Sequence, residues 1–243
     1  MKTESIDTLP TPIVSRSEWL SARLELLKEE RELTHLRDRL NQRRRELPRT
    51  RIDKDYVFET ESGKATLADL FQGRGELIVY HFMFGPGWEE GCKGCSFVSD
   101  TVDGMLPHLN ARDVTYVAVS RAPLAEILPF KKRMGWRFPW VSSQGTSFNR
   151  DFGVTFSEEE LSSGRLAYNY GTSPFPPVEE APGLSVFLRD ADEGILHTYS
   201  TYSRGLDILI NTYNYLDLTP KGRDEGGLEM PMSWLKHHDN YGA

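Results

Sequence analysis

The chain has only two cysteines in 243 residues. That is too few for the disulfide framework of a small secreted scaffold. It has no run of about 18 apolar residues, so no membrane span is expected. Met1-Lys2-Thr3-Glu4-Ser5 leads into no apolar stretch, so no secretory signal is expected and the predicted location is cytoplasmic. There is no positive excess: the net charge is −7, which speaks against a general nucleic-acid-binding surface. No Gly-rich loop stands between a strand and a helix, so nucleotide or flavin binding is not indicated and no cofactor is expected. No internal repeat is visible. What remains is a globular chain of ordinary composition, long enough for one large domain with an appendage.

What is present is a pair of cysteines three apart, Cys92 and Cys95, in Gly91-Cys92-Lys93-Gly94-Cys95. They follow the apolar run Leu77-Ile78-Val79-Tyr80-His81-Phe82-Met83-Phe84. Such a run predicts a strand buried on both faces, and Gly85-Pro86-Gly87 breaks it. A Cys-x-x-Cys after a strand and at the mouth of a helix suits thiol–disulfide exchange, in which one sulfur attacks and the other resolves. If Cys92 opens its helix, unpaired N–H groups and the positive helix end lower its pKa from about 8.5 toward 7. Lys93 adds positive charge beside it and is a substrate-binding candidate. Cys95, one turn in, is expected to be more buried, with a higher pKa, and to resolve. The strand end and the cysteine helix place Trp88 near this site as a substrate-contact candidate.

Along the chain, residues 1–14 read as loose. Ser15-Arg16-Ser17-Glu18 fits a capping box, and a helix runs from there to about Leu47, where Pro48 stops it. Within it Trp19, Leu26, Leu33, Leu40 and Leu47 recur every seven residues, while Glu29 and Arg43 interrupt the companion seam. That partial heptad stripe has two readings, a helix packed on its own domain or an arm that forms a homodimer. The arginines at 37, 39 and 43–45 are interleaved with Asp38 and Glu46 and lack aromatic platforms, so a solvated face is expected rather than a nucleic-acid site. Tyr56–Phe58 and Val114–Val119 read as strands. A helix is predicted from Cys92 to about Leu109 and another from Pro123 to Met134. Leu184–Leu188 and Ile195–Tyr199 form a predicted hairpin, and Gly205 to Leu216 a closing helix. The order β-α-β-α-β, a long insertion around 143–180, then β-β-α predicts an α/β fold: a mixed sheet covered by helices on both faces.

With the dithiol at that junction, the order resembles the thioredoxin-like superfamily, a three-layer α/β/α arrangement with a mixed central sheet. Glu180-Ala181-Pro182-Gly183-Leu184-Ser185 looks like the segment whose proline is cis in that family and lies beside the cysteines. The resemblance therefore implies Pro182 as a platform for a partner backbone. Phe138-Pro139-Trp140-Val141-Ser142-Ser143, followed by Phe152-Gly153-Val154, resembles the peroxiredoxin-like branch. Longer segments resemble the bacterial family DUF899: Tyr80–Pro86, Trp88–Cys92, Val119–Leu124, Arg133–Trp140 and Leu216–Asp224. Its members are described as predicted dithiol–disulfide oxidoreductases. The resemblance covers nearly the whole chain and implies an arm over 1–50 and a thioredoxin-like domain over 51–243. It departs from thioredoxin in having Gly91 before the first cysteine and Lys93-Gly94 between the two. No acidic residue in the leading strand matches that family's buried carboxylate; His81 and Tyr80 are the only titratable candidates there.

Other chemistries stay open at this point. A peroxidase would use Cys92 with Arg121 as charge partner, although the Pro-x-x-x-Thr/Ser-x-x-Cys pattern is absent. A copper or zinc site would combine Cys92, Cys95 and His81 or His197, but one Cys-x-x-Cys is half of a usual zinc set; no metal site is assigned. A binding protein with incidental thiols is the last reading. The expected partner is a protein or small-molecule thiol or disulfide. Tyr168-Asn169-Tyr170 and Pro174-Phe175-Pro176-Pro177 are read equally as a substrate groove beside Pro182 or as surface loop. His237 and His238 are expected in solvent, and Trp136 and Trp140 in the core.

Overall fold

The computed structural model describes residues 11–163, 168–172 and 178–242. Helix α1 (Arg16–Arg45) opens on the predicted capping box. Ser15 Oγ accepts the Glu18 N–H at 3.3 Å, and the Glu18 carboxylate accepts the Ser15 N–H at 2.9 Å. No residue of α1 is buried, and Trp19, Leu26, Leu33 and Leu40 are all exposed, Leu33 to 65%. The expectation that this helix packs on its own domain is therefore not met. Its link to the sheet lies at its end, where Arg44 covers the Tyr199 ring at 4.8 Å.

After α1 come β1 (Thr50–Arg51), β2 (Val57–Thr60), β3 (Gly63–Thr66), a 3₁₀ turn (Asp69–Phe71) and β4 (Glu76–His81). Helices α2 (Lys93–Ser99) and α3 (Val102–Asn110) lead to β5 (Val114–Ser120), α4 (Leu124–Arg133) and β6 (Trp140–Ser142). The insertion holds α5 (Phe148–Asp151) and α6 (Glu158–Ser163). Then follow β7 (Gly183–Asp190), β8 (Gly194–Tyr202), a 3₁₀ stretch (Ser203–Leu209) and α7 (Asn211–Leu216). Among the described residues no helix is long and apolar enough to cross a membrane.

Among the described residues eight strands form one mixed sheet in the order β1-β8-β7-β4-β5-β6-β2-β3. At its centre β4 pairs in parallel with β5, Ile78 opposite Tyr116, and antiparallel with β7, Ile78 opposite Val186. A parallel pair needs a crossover, which α2 and α3 supply. The β7–β8 hairpin then closes an arrangement of strands 8-7-4-5 that is thioredoxin-like.

Strand alternation divides the core. Tyr80 and Phe82, with Tyr116 and Ala118, enter one cluster together with Cys95 and the Trp136–Trp140 region. Leu77 and Val79, with Val117 and Val119, enter the other, under Phe148 and Phe187. His81 follows the second set. It is 1% exposed, stacks on Phe152 at 5.7 Å and bonds through Nε2 to Ser185 Oγ at 2.9 Å.

Two predicted helices come out differently. The helix expected over Cys92–Leu109 breaks at Asp100–Thr101. There the Asp100 carboxylate accepts Trp136 Nε1–H at 3.0 Å and meets His238 at 2.7 Å, while Thr101 Oγ1 donates to the Val98 carbonyl at 3.3 Å. Side chains that bond the local backbone compete with helix continuation. The closing helix is 3₁₀ up to Leu209 and α-helical only from Asn211, because Ile210 is non-helical (φ −87°, ψ 81°).

Burial, with His197 nearby as a secondary cause, lowers the His81 pKa from 6.5 to about 3. The unfolded chain thus binds a proton that the folded chain refuses, so stability is complete above about pH 6.5 and falls as pH drops toward 3. Chemical denaturation as a function of pH should show this loss, with a limiting slope from this residue of about 1.4 kcal/mol per pH unit. His81→Gln, which keeps a partner for Ser185, should flatten it.

Candidate active site

Chain reversal after β4 builds the site. Phe82 N–H bonds Val119 O at 2.9 Å and Ala122 N–H bonds Phe84 O at 2.8 Å, so the strand end stays tied to β5. The loop then returns, and Cys92 N–H donates to Met83 O at 3.0 Å. This return has no room for a side chain at Gly91. A Cβ there would lie 2.7 Å from the Phe82 ring and 2.8 Å from the Phe130 ring. That contact explains why no bulky residue precedes the first cysteine.

Cys92 is the N-cap of α2, and it is partly exposed; Cys95, one turn in, is 1% exposed. Both are free thiols. The Cys95 thiol, first, and the backbone N–H groups of Cys95 and Gly94 face the Cys92 sulfur and favour its thiolate. Together these outweigh its desolvation and lower its pKa from 9.0 to about 7. Cys95 moves the other way: burial comes first and the hydrogen bond it gives to Cys92 second, and its pKa is raised well above 9.0. Two groups temper that rise. Met83 N–H reaches Cys95 Sγ at 3.4 Å, and the buried Tyr80 hydroxyl also donates to it. Of the two titratable candidates in the strand, Tyr80 therefore faces the dithiol and His81 faces away.

Lys93 is exposed at the start of the helix. Trp88 is half-buried against the same cluster as Cys92, with Nε1–H donating to Glu179 Oε1 at 2.8 Å. Arg121 is engaged elsewhere, giving Nε–H to the buried Glu180 at 2.5 Å and a second N–H to Glu179 at 2.7 Å. Pro182 lies one residue before Gly183, which pairs with His81, so it borders the strand end. Its peptide bond is trans, as are all those described. This corrects the cis expectation. The segment is held extended instead, by a Thr155–Glu180 bridge and by Ala181 N–H on Val154 O at 2.8 Å. Tyr168 donates its hydroxyl to the Pro182 carbonyl at 2.6 Å. Residues 174–177 lie outside the described residues.

His81 and His197 both pack with Phe152 on the sheet face away from Cys95. Neither joins the two sulfurs, and among the described residues no group of three His, Cys, Asp or Glu side chains could hold a metal ion. His237 also departs from expectation. It is buried, and its Nε2–H donates to the Gly91 carbonyl at 2.9 Å. Its distance in sequence leaves no local signal, except that Trp234 marks the tail as partly ordered.

The Cys92 alkylation rate should follow a midpoint near pH 7, about 1.5 units below a free cysteine. In Cys95→Ala the midpoint should rise, because the largest influence favouring the thiolate, the Cys95 thiol, is lost while the backbone N–H groups remain. An unchanged midpoint, read by mass spectrometry over a pH series, would contradict this assignment. Gly91→Ala should destabilise the fold by about 1–3 kcal/mol through overpacking against Phe82 and Phe130.

Comparison with curated proteins finds no match. Among solved structures, the chain is similar to peroxidoxin BcpB from Mycobacterium tuberculosis: 16% identity, 65% of this chain and 91% of that one, TM-score 0.42. It is similar to a cysteine-to-serine mutant of peroxiredoxin Q from Xanthomonas campestris: 14% identity, 65% and 90%, TM-score 0.44. A putative protein disulfide isomerase from Bacteroides thetaiotaomicron matches at 17% identity, 68% and 86%, TM-score 0.37. Over residues 8–241 the sequence fits the model of a family described as bacterial protein of unknown function, and on that match the chain belongs to DUF899.

Proposed function

We propose that the protein is a thiol–disulfide oxidoreductase in which Cys92 attacks and Cys95 resolves. The observation that carries this reading is the placement of the two thiols. Cys92 caps α2 and is partly exposed, whereas Cys95 is buried one turn in. The electrostatics follow this placement, lowering the Cys92 pKa to about 7 and pushing that of Cys95 up. Thiolate at the attacking position and thiol at the resolving one is the distribution that exchange requires. The Cys92 thiolate attacks a disulfide sulfur, and the leaving sulfur departs as thiolate and takes a proton. Cys95, giving up its proton, then attacks the Cys92 sulfur; the Cys92–substrate bond breaks, the second substrate sulfur leaves as thiolate and takes a proton, and the intramolecular disulfide closes. The hydrogen bond from Tyr80 stabilises the Cys95 thiolate as it forms.

The peroxidase reading has less support, because the Arg121 charge is satisfied by Glu179 and Glu180. The copper or zinc reading loses its histidines to the opposite sheet face. Trp88 and Lys93 remain the substrate-contact residues of this proposal, with Pro182 at the border of the same strand end. A reducing compartment such as the cytoplasm suits a dithiol that must be regenerated.

The test is a redox titration of the purified, metal-free protein in glutathione buffers, with thiols counted by alkylation and mass. A reversible Cys92–Cys95 disulfide should form with a potential between about −120 and −270 mV. Cys92→Ser should abolish exchange, and Cys95→Ser should accumulate mixed disulfides. A pair that never closes, or a Cys92→Ser variant with full activity, would overturn the reading.

A further inference from the structure

The chain after α7 folds back across the dithiol helix. Glu225 anchors it, since one carboxylate oxygen accepts from Tyr213 Oη–H at 2.6 Å, Met232 N–H at 2.9 Å and Trp234 Nε1–H at 2.7 Å. Trp234 stands edge-on to Phe97 of α2 with ring centroids 5.8 Å apart. Met232 then lies beside Gly94, between the two cysteines. Its methyl lies 3.4 Å from where a Cβ on Gly94 would sit, and Cys92 Sγ lies 3.7 Å from that same point. The backbone of Met232 is left-handed, at φ +67°. That conformation is costly for a side chain of this size, and the Glu225 bond to its N–H helps hold it there. Beyond it, His237 is bonded to the Gly91 carbonyl, His238 meets Asp100 at 2.7 Å, and Arg133 joins Asp239 to Glu90.

The strap therefore touches Gly91 before the first cysteine, Gly94 of the two residues between them, and the turn after them. We propose that it restricts the dithiol to low-molecular-weight disulfides and excludes disulfides set in folded proteins. The inference rests on the exchange reading above and adds the substrate class. A thiolate attacks a disulfide along the S–S axis, so the substituents of the substrate must pass the surface around Cys92. A protein disulfide brings two backbone segments to that surface. Met232 already stands there beside Gly94, with the buried His237 tying the strap to Gly91, and a small disulfide needs only the opening that leaves Cys92 partly exposed. Exclusion by an occupied surface is discrimination against the wrong partner rather than attraction of the right one.

The reaction balances without a further reductant in a single turnover. The reduced protein loses two electrons and becomes the Cys92–Cys95 disulfide, and R–S–S–R gains them, with the two thiol protons, to become two R–SH.

Pre-reduced full-length protein would be mixed with bis(2-hydroxyethyl) disulfide or with insulin, and closure of the Cys92–Cys95 bond followed by quenched alkylation and mass. The small disulfide should oxidise the pair at least about 100-fold faster per disulfide than insulin. Met232→Gly removes the cover and relieves the left-handed backbone, and Trp234→Ala loosens the strap from Phe97. Each should raise the insulin rate by about tenfold or more and leave the small-disulfide rate within about twofold. Equal rates for the two probes in the wild type, or folded variants (by circular dichroism) with an unchanged insulin rate, would overturn this inference alone. Closure with neither probe would overturn the exchange reading and the inference with it.

Discussion

The backbone of Met83 holds both cysteines at the end of the central strand. Its carbonyl takes the Cys92 N–H at 3.0 Å, and its own N–H reaches Cys95 Sγ at 3.4 Å. Because β4 is paired on both sides, by β5 and β7, this end of the strand cannot shift without breaking two ladders. The rest of the site depends on that anchor. It fixes the start of α2, presses Gly91 between Phe82 and Phe130, and sends one sulfur inward and the other to the surface. The two thiols are chemically identical in the unfolded chain. Their difference comes from a single helical turn, which buries one and leaves the other partly exposed at the N-terminus of α2.

The same strand decides which titratable groups can take part. Tyr80 and His81 are neighbours in sequence, but strand alternation sends them to opposite faces. Tyr80 meets Cys95, whereas His81 joins Ser185, Ser200 and His197 in a chain of hydrogen bonds, of 2.9, 2.8 and 2.7 Å, in the other layer. A register slip of one residue would exchange them. The hydrogen-bond donor to the buried sulfur is thus set by the parity of β4. A tyrosine can donate there without carrying charge, which suits a site too dry for an unpaired carboxylate.

What can be read from the sequence is local. The capping box at Ser15 and Glu18, the apolar run of β4, the hairpin around Gly194 and the cysteine spacing each declare themselves within about ten residues, and each appears in the structure. What cannot be read depends on groups far apart in the chain. The break after α2 needs Trp136 and His238 at Asp100, from 36 and 138 residues away. The β2–β3 hairpin joins the sheet through Glu59 opposite Ser142, a pairing that no short pattern encodes. The proline before β7 resembles a cis platform by its place in the chain, yet its neighbours are held extended by Val154 and Thr155 of the insertion. His237 reads as a solvated tail residue because nothing nearby in sequence indicates the Gly91 carbonyl.

Helix α2 has only seven residues, and this shortness ties the strap to the chemistry. Its inner side is committed to the core by Cys95, Val98 and Ser99. Its outer side carries Phe97, which meets both Tyr213 and Trp234 edge-on. Only the first turn, around Cys92 and Lys93, is left for a substrate. A short helix also makes few internal hydrogen bonds and is marginal without tertiary contacts, so the tail that packs on α2 also helps hold Cys92 in place. In the proposed exchange, support and selectivity would come from the same contacts. That is why the informative substitutions remove a single covering side chain, such as Met232, rather than the tail as a whole.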